Sequence, residues 1–212
     1  MEKYMSLLRD INKILIFGDS IVYGKWDSEG GWAARLRRYI DEKYNFNDDK
    51  NIQVYNFGIP GEVARRMVKR VESELIFCKT EPHDRFLVIF AVGANDSCPN
   101  NWMTKQQTTE SDFKSSLRKL IGIGKKHQCR IVFVGLTPVN PAKSKGLLFT
   151  NEQVSRYDRY ISEICVENKI KRLDLFRSLM KLNFPEVLID AVHPDSSGHK
   201  ILAERIVNFL ES

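Results

Sequence analysis

The chain has 212 residues, 42% of them hydrophobic and 28% charged, with a formal net charge of +6. That apolar share excludes a disordered chain, and 12 glycines with 7 prolines exclude a collagen-like or low-complexity one. The longest apolar run, Phe86–Val92, falls far short of the roughly 20 residues that cross a bilayer, and Arg9 and Asp10 follow Leu7 and Leu8 too closely for a signal-peptide core.

These figures predict a soluble, cytoplasmic protein with a single domain over residues 1–212, long enough to bury a sizeable core. The excess of basic residues admits nucleic acid as a partner. Its densest cluster, Arg65, Arg66, Lys69 and Arg70, instead falls between apolar Val63, Met67 and Val71, as the outer face of an amphipathic helix does. No aromatic-rich strand accompanies it as a stacking platform, so no nucleic-acid partner is expected. The four cysteines are far apart, with no Cys-x-x-Cys pair and no histidine at ligand spacing. Neither a metal site nor a disulfide framework is therefore expected.

In chain order, the first predicted strand is Ile14–Phe17, running into Gly18-Asp19-Ser20-Ile21. Trp32–Tyr44 follows as a helix, with Trp32, Leu36 and Ile40 on one stripe. The second strand, Ile52–Phe57, leads through Gly58-Ile59-Pro60-Gly61-Glu62 into a helix over Val63–Phe77. The third, Phe86–Val92, ends in Gly93-Ala94-Asn95-Asp96, and Ser111–Lys126 is the next helix. The fourth strand is Ile131–Val134, followed by a helix over Asn151–Asn168. The fifth is Lys171–Leu175; Asp190-Ala191-Val192-His193-Pro194-Asp195 then precedes a last helix over Ser197–Leu210.

Strands apolar on both faces, alternating with amphipathic helices, predict an α/β/α sandwich around a five-stranded parallel sheet. Ligands of such sheets bind beyond the carboxyl ends of the strands. Four polar turns fall there, and each has two readings. Gly18-Asp19-Ser20 either presents a hydroxyl to a cleft or is an ordinary turn. Gly61 either offers an open amide at a helix start or belongs to a plain Pro-Gly turn. Asn95 either donates to an oxyanion or caps its own turn. Asp190 either orients His193 from three residues away, or shares a polar loop in which Asp195 or Ser196 caps the last helix. Taken together they supply a nucleophile, a base, an orienting acid and oxyanion donors, the parts of an acyl-transfer site.

The four blocks, in this order over nearly the whole chain, resemble those of the SGNH, or GDSL, hydrolases. The resemblance implies a flavodoxin-like fold and a serine esterase that cleaves small-molecule carboxylic esters without a cofactor. It implies Ser20 as nucleophile, His193 as general base and Asp190 as the acid that orients it. The oxyanion donors would be the Ser20 amide, the Gly61 amide and the Asn95 side chain. Gly61 is preferred to Gly58 because Glu62 follows it, and Pro60 stands where the family often has a small residue. Asp19 is expected to bond backbone near the serine.

The loops Tyr23–Gly31, Ser97–Thr109 and Thr137–Thr150 are expected to wall the cleft. Their aromatic (Trp26, Trp102, Phe149) and polar or basic residues (Asn100, Asn101, Lys143, Lys145) favour short-chain esters, acetyl groups on carbohydrate among them. The alternatives are an acyltransferase, or a lysophospholipase or thioesterase, using the same site. A non-catalytic module holding a phosphate at Gly61 is the rival from another class. His83, His127 and His199 are expected to be structural.

Overall fold

Five segments form the strands β1 (Lys13–Gly18), β2 (Gln53–Gly58), β3 (Phe86–Ala91), β4 (Arg130–Val134) and β5 (Lys171–Leu173). All pair in parallel, in the order β2-β1-β3-β4-β5. That is the flavodoxin-like, doubly wound order expected from the sequence. The computed structural model describes residues 6–46, 50–101 and 104–212.

The helices in chain order are α1 (Ser20–Tyr23), α2 (Gly31–Ile40), α3 (Ala64–Met67), α4 (Val71–Cys78), α5 (Ala94–Ser97), α6 (Glu110–Lys126), α7 (Asn151–Asn168), α8 (Phe176–Lys181) and α9 (Ser196–Glu211). Strand side chains alternate between two cores, as the pleat requires. Leu15, Phe17, Val88, Phe90 and Phe133 join the stripes of α3, α4, α6 and α7 on one face. Ile14, Ile16, Leu87, Ile89 and Val132 meet α2 and α9 on the other. No helix among the described residues is long and apolar enough to cross a membrane.

The departures from expectation are local. The predicted helix over Trp32–Tyr44 is α-helical only to Ile40, after which Asp41–Asn45 winds a wider turn closed by the Phe46 amide on the Asp41 carbonyl. The predicted Val63–Phe77 helix is two pieces, because the amides of Lys69 and Arg70 bond carbonyls only three residues back. The Arg70 guanidinium turns inward there, donating to Glu62 Oε2 and the Phe57 carbonyl, each at 2.7 Å. Arg70 is thus not part of an outer basic face. The predicted fifth strand stops at Leu173, since Leu175 already turns into α8.

Candidate active site

The site is assembled from the turns after β1, β2 and β3 and from the loop before α9. That loop is not the turn after the fifth strand that the sequence suggested, because α8 and a further short turn lie between β5 and Asp190. β1 passes directly into α1, whose first residue is Ser20. Asp19 caps that helix, its Oδ1 accepting the Ile21 amide at 2.9 Å, and the turn closes on Gly24. Ser20 is buried, and its own amide has no hydrogen-bond partner among the described residues.

The two candidate glycines of the second turn do different things. A Cβ on Gly58 would lie 2.3 Å from the Tyr23 amide nitrogen, so Gly58 is where β2 and α1 touch backbone to backbone. Asn56 fastens this contact, donating to the Val22 carbonyl and accepting from the Gly58 amide, both at 2.9 Å. Gly61 lines the cleft beside Ser20, at a φ of +79° that favours glycine, with its amide unpartnered among the described residues.

Asn95 sits on the single turn of α5. Its Nδ2 donates to Asp19 Oδ2 at 3.2 Å, and Asn101 Nδ2 donates to its Oδ1 at 3.4 Å. These two contacts fix which way the amide faces and leave one Nδ2 hydrogen for the cleft. Next to it, Asp96 accepts from the Ala64 amide at 3.1 Å and from Thr108 Oγ1 at 2.9 Å, tying this turn to the start of α3. Burial pushes the Asp19 carboxyl up to about 6, against the hydrogen bond from the Ile21 amide. Burial likewise pushes Asp96 up to about 7.

The fourth turn is a tight loop before α9. Ile189 donates its amide to the His193 carbonyl at 2.8 Å, and Leu188 bridges Pro194. Asp190 Oδ1 accepts the amides of Val192 and His193 at 3.0 and 2.9 Å. Its Oδ2 lies 2.7 Å from His193 Nδ1, and His193 Nε2 lies 2.8 Å from Ser20 Oγ. The carboxylate makes Nδ1 the protonated nitrogen and leaves the Nε2 lone pair for the serine hydroxyl. Burial alone would raise the Asp190 carboxyl. The His193 ring and the two amides outweigh it and hold the group well below the usual carboxylate range. Asp195 does cap α9, accepting the Gly198 amide at 2.8 Å. The loop thus brings Asp190 to His193 and also caps the last helix.

The cleft over Ser20 is walled by Pro60, Leu147, Phe149 and Val192, with Lys25 at its edge. This is more apolar than the loop compositions suggested, for identifiable reasons. Lys143 is spent on the carbonyls of Glu186 and Leu188. Asn100 clamps the loops together through Gly146 and Leu148, and Asn101 lies beneath Asn95. Trp102 falls outside the described residues. Trp26 is not a wall but a partner of the site, its Nε1 donating to Asp190 Oδ2 at 3.2 Å. Sequence alone carries no signal for that contact across 164 positions.

The remaining histidines stand apart from this site. His127 meets Glu72 at 2.9 Å, His83 is exposed, and buried His199 accepts the Trp32 amide on Nδ1 at 3.2 Å. Burial pushes His199 down to about 4. Among the described residues, no three His, Cys, Asp or Glu side chains are grouped to hold a metal ion.

A profile of the GDSL-like Lipase/Acylhydrolase family matches residues 16–201. Among solved structures, the acetylxylan esterase Axe2 of Geobacillus stearothermophilus is similar with a TM-score of 0.75 and 22% identity, covering 94% of each chain. LAE5, an alpha/beta hydrolase enzyme from the metagenome of Lake Arreo, Spain, is similar with a TM-score of 0.74 and 16% identity, covering 95% of this chain and 97% of that one. Catalytic mutants of Axe2, with alanine for a serine, a histidine or an aspartate, match as well. At these identities the likeness is one of fold. No curated protein sequence matches the chain significantly.

Proposed function

This chain belongs to the GDSL-like lipase/acylhydrolase family, whose members cleave esters, and we propose that it hydrolyses short-chain carboxylic esters through an acyl-Ser20 intermediate. The observation that carries this reading is the unbroken line from Ser20 Oγ to His193 Nε2 at 2.8 Å and from His193 Nδ1 to Asp190 Oδ2 at 2.7 Å. Ser20 Oγ attacks the ester carbonyl carbon while His193 Nε2 takes its proton. Asp190, held ionised, fixes the tautomer and stabilises the imidazolium. The amides of Ser20 and Gly61 and the Asn95 side chain receive the oxyanion, and each such donor is worth about 10²- to 10³-fold in turnover. The tetrahedral adduct collapses, the alcohol leaves with the proton from Nε2, and water then releases the acid by the same sequence.

One observation supports a short acyl group, and a second supports an alcohol of carbohydrate type. Leu147 and the buried Phe149 line the small cleft that holds the serine. The similar structure Axe2 is an acetylxylan esterase, and its serine, histidine and aspartate mutants are described as catalytic, the same three residue types as in this line. Hydrolysis of p-nitrophenyl acetate, butyrate and octanoate by wild type and Ser20→Ala tests the reading. Rates falling steeply with chain length, and abolished in the variant, are expected. Faster octanoate cleavage would overturn the short-chain assignment, and activity surviving in Ser20→Ala would overturn the mechanism.

A further inference from the structure

We propose that the ester cleaved at Ser20 carries an anionic group, a carboxylate or phosphate, on its alcohol portion, and that Lys25 binds it. This rests on the esterase reading above and adds to it the charge of the substrate.

Lys25 follows Gly24, the cap of α1, and its amide donates to the Ser20 carbonyl at 3.0 Å, so its backbone is fixed just over one helical turn from the nucleophile. Its side chain is half-buried and lines the same cleft as Ser20, Asn95 and His193. Among the described residues, the ammonium has no carboxylate, carbonyl or hydroxyl partner. Its one contact is the ring of Trp26, with Nζ 4.9 Å from the centroid.

That is unlike the other basic side chains of comparable burial. Lys13 pairs with Asp84, Arg35 with Asp27, Arg70 with Glu62, Lys114 with Glu110 and Glu163, and Arg172 with Asp158. Arg130, Lys143 and Arg205 donate to carbonyls or a hydroxyl. A partly desolvated cation left unpaired at the mouth of a cleft is costly, and an arriving anion offsets that cost more effectively than it would on an open surface.

The position is built rather than incidental. Trp26 adopts a left-handed φ of +70°, which a bulky side chain takes only when its surroundings enforce it. The next residue, buried Asp27, is itself fixed: it accepts the amides of Glu29 and Gly31 and pairs with Arg35. Trp26 in turn touches Asp190. Through that contact the Lys25–Trp26 pair lies beside the Asp190–His193 arm of the site. The alcohol departs on that side, because His193 protonates it, so the alcohol is the part of the ester that Lys25 can reach.

The test compares 4-acetoxybenzoate with its uncharged methyl ester, in wild type and in Lys25→Met. Intrinsic leaving-group differences cancel when the ratio of the two kcat/KM values is compared between proteins. The ratio is expected to fall about five- to tenfold in Lys25→Met and further in Lys25→Glu. It should also fall in wild type as salt is raised. Equal ratios in wild type and Lys25→Met, or a wild-type ratio indifferent to salt, would overturn the inference while leaving the esterase reading intact. Failure of wild type to cleave either ester would overturn both.

Discussion

Asn95 and Asp19 meet through a 3.2 Å hydrogen bond from Nδ2 to Oδ2 that joins the turn after β3 to the turn after β1. The same carboxylate caps the helix that begins at Ser20, so one buried group positions both the serine and the amide beside it. Asn95→Ala is therefore expected to lower kcat about 10²- to 10³-fold with little change in KM, since it removes a donor used chiefly in the transition state. Asn101→Ala, which frees the amide to rotate without removing it, should cost less. Steady-state kinetics on p-nitrophenyl acetate check both, and equal losses in the two variants would contradict the assigned roles.

The two glycines of the second turn should fail differently. Gly58→Ala places a methyl against the backbone of Tyr23 and is expected to prevent folding, read as loss of soluble protein and of a cooperative melt. Gly61→Ala meets a left-handed backbone with a penalty of about 1 kcal/mol. It should still fold while losing turnover through a displaced amide.

Most of the fold was legible in the sequence, because the inner strands are apolar on both faces and three of the four blocks follow directly on strands. The fourth comes after α8, in the loop before α9, rather than at the end of β5. The buried stripe of Val63, Met67, Val71 and Leu75 was equally readable, since a stripe survives a tightened turn. The break itself was not readable: an inward Arg70 and an outward one give the same spacing. Nor did periodicity reveal α1 and α5, each a single turn and too short to show a period. The cleft wall was misjudged because a loop's composition does not say which polar groups are consumed by neighbouring carbonyls, as those of Lys143 and Asn100 are. The Lys25–Trp26 pairing and the Trp26–Asp190 contact depend on where two loops meet.

Asp190 is expected to remain ionised throughout the working pH range, its carboxyl held down by the His193 ring and two amides against the effect of burial. Asp190→Asn keeps the shape but offers a donor where Nδ1–H needs an acceptor. A fall in kcat of about 10³- to 10⁴-fold is expected. A variant within tenfold of wild type would contradict the orienting role.

His199 makes a prediction about stability. Burial lowers it to about 4 from an ordinary 6.5, so between those values the unfolded chain binds a proton that the folded chain does not. Its contribution is present above pH 6.5 and is lost as the pH falls through this window, by about 2–3 kcal/mol at pH 4.5. Buried Asp19 and Asp96, pushed upward, act in the opposite direction there. The comparison of wild type with His199→Gln isolates the histidine. Denaturant titrations at pH 7 and 4.5 should show a smaller acid-induced loss in the variant, and an unchanged loss would contradict the assignment.

The central claim is that Ser20 is the nucleophile activated by His193. Its most direct test is the intact mass of the folded protein after treatment with a fluorophosphonate, followed by peptide mapping. A single adduct on Ser20, absent from Ser20→Ala and strongly slowed in His193→Ala, is the predicted result. Folded wild type that takes no label, or an adduct that persists in Ser20→Ala, would contradict it.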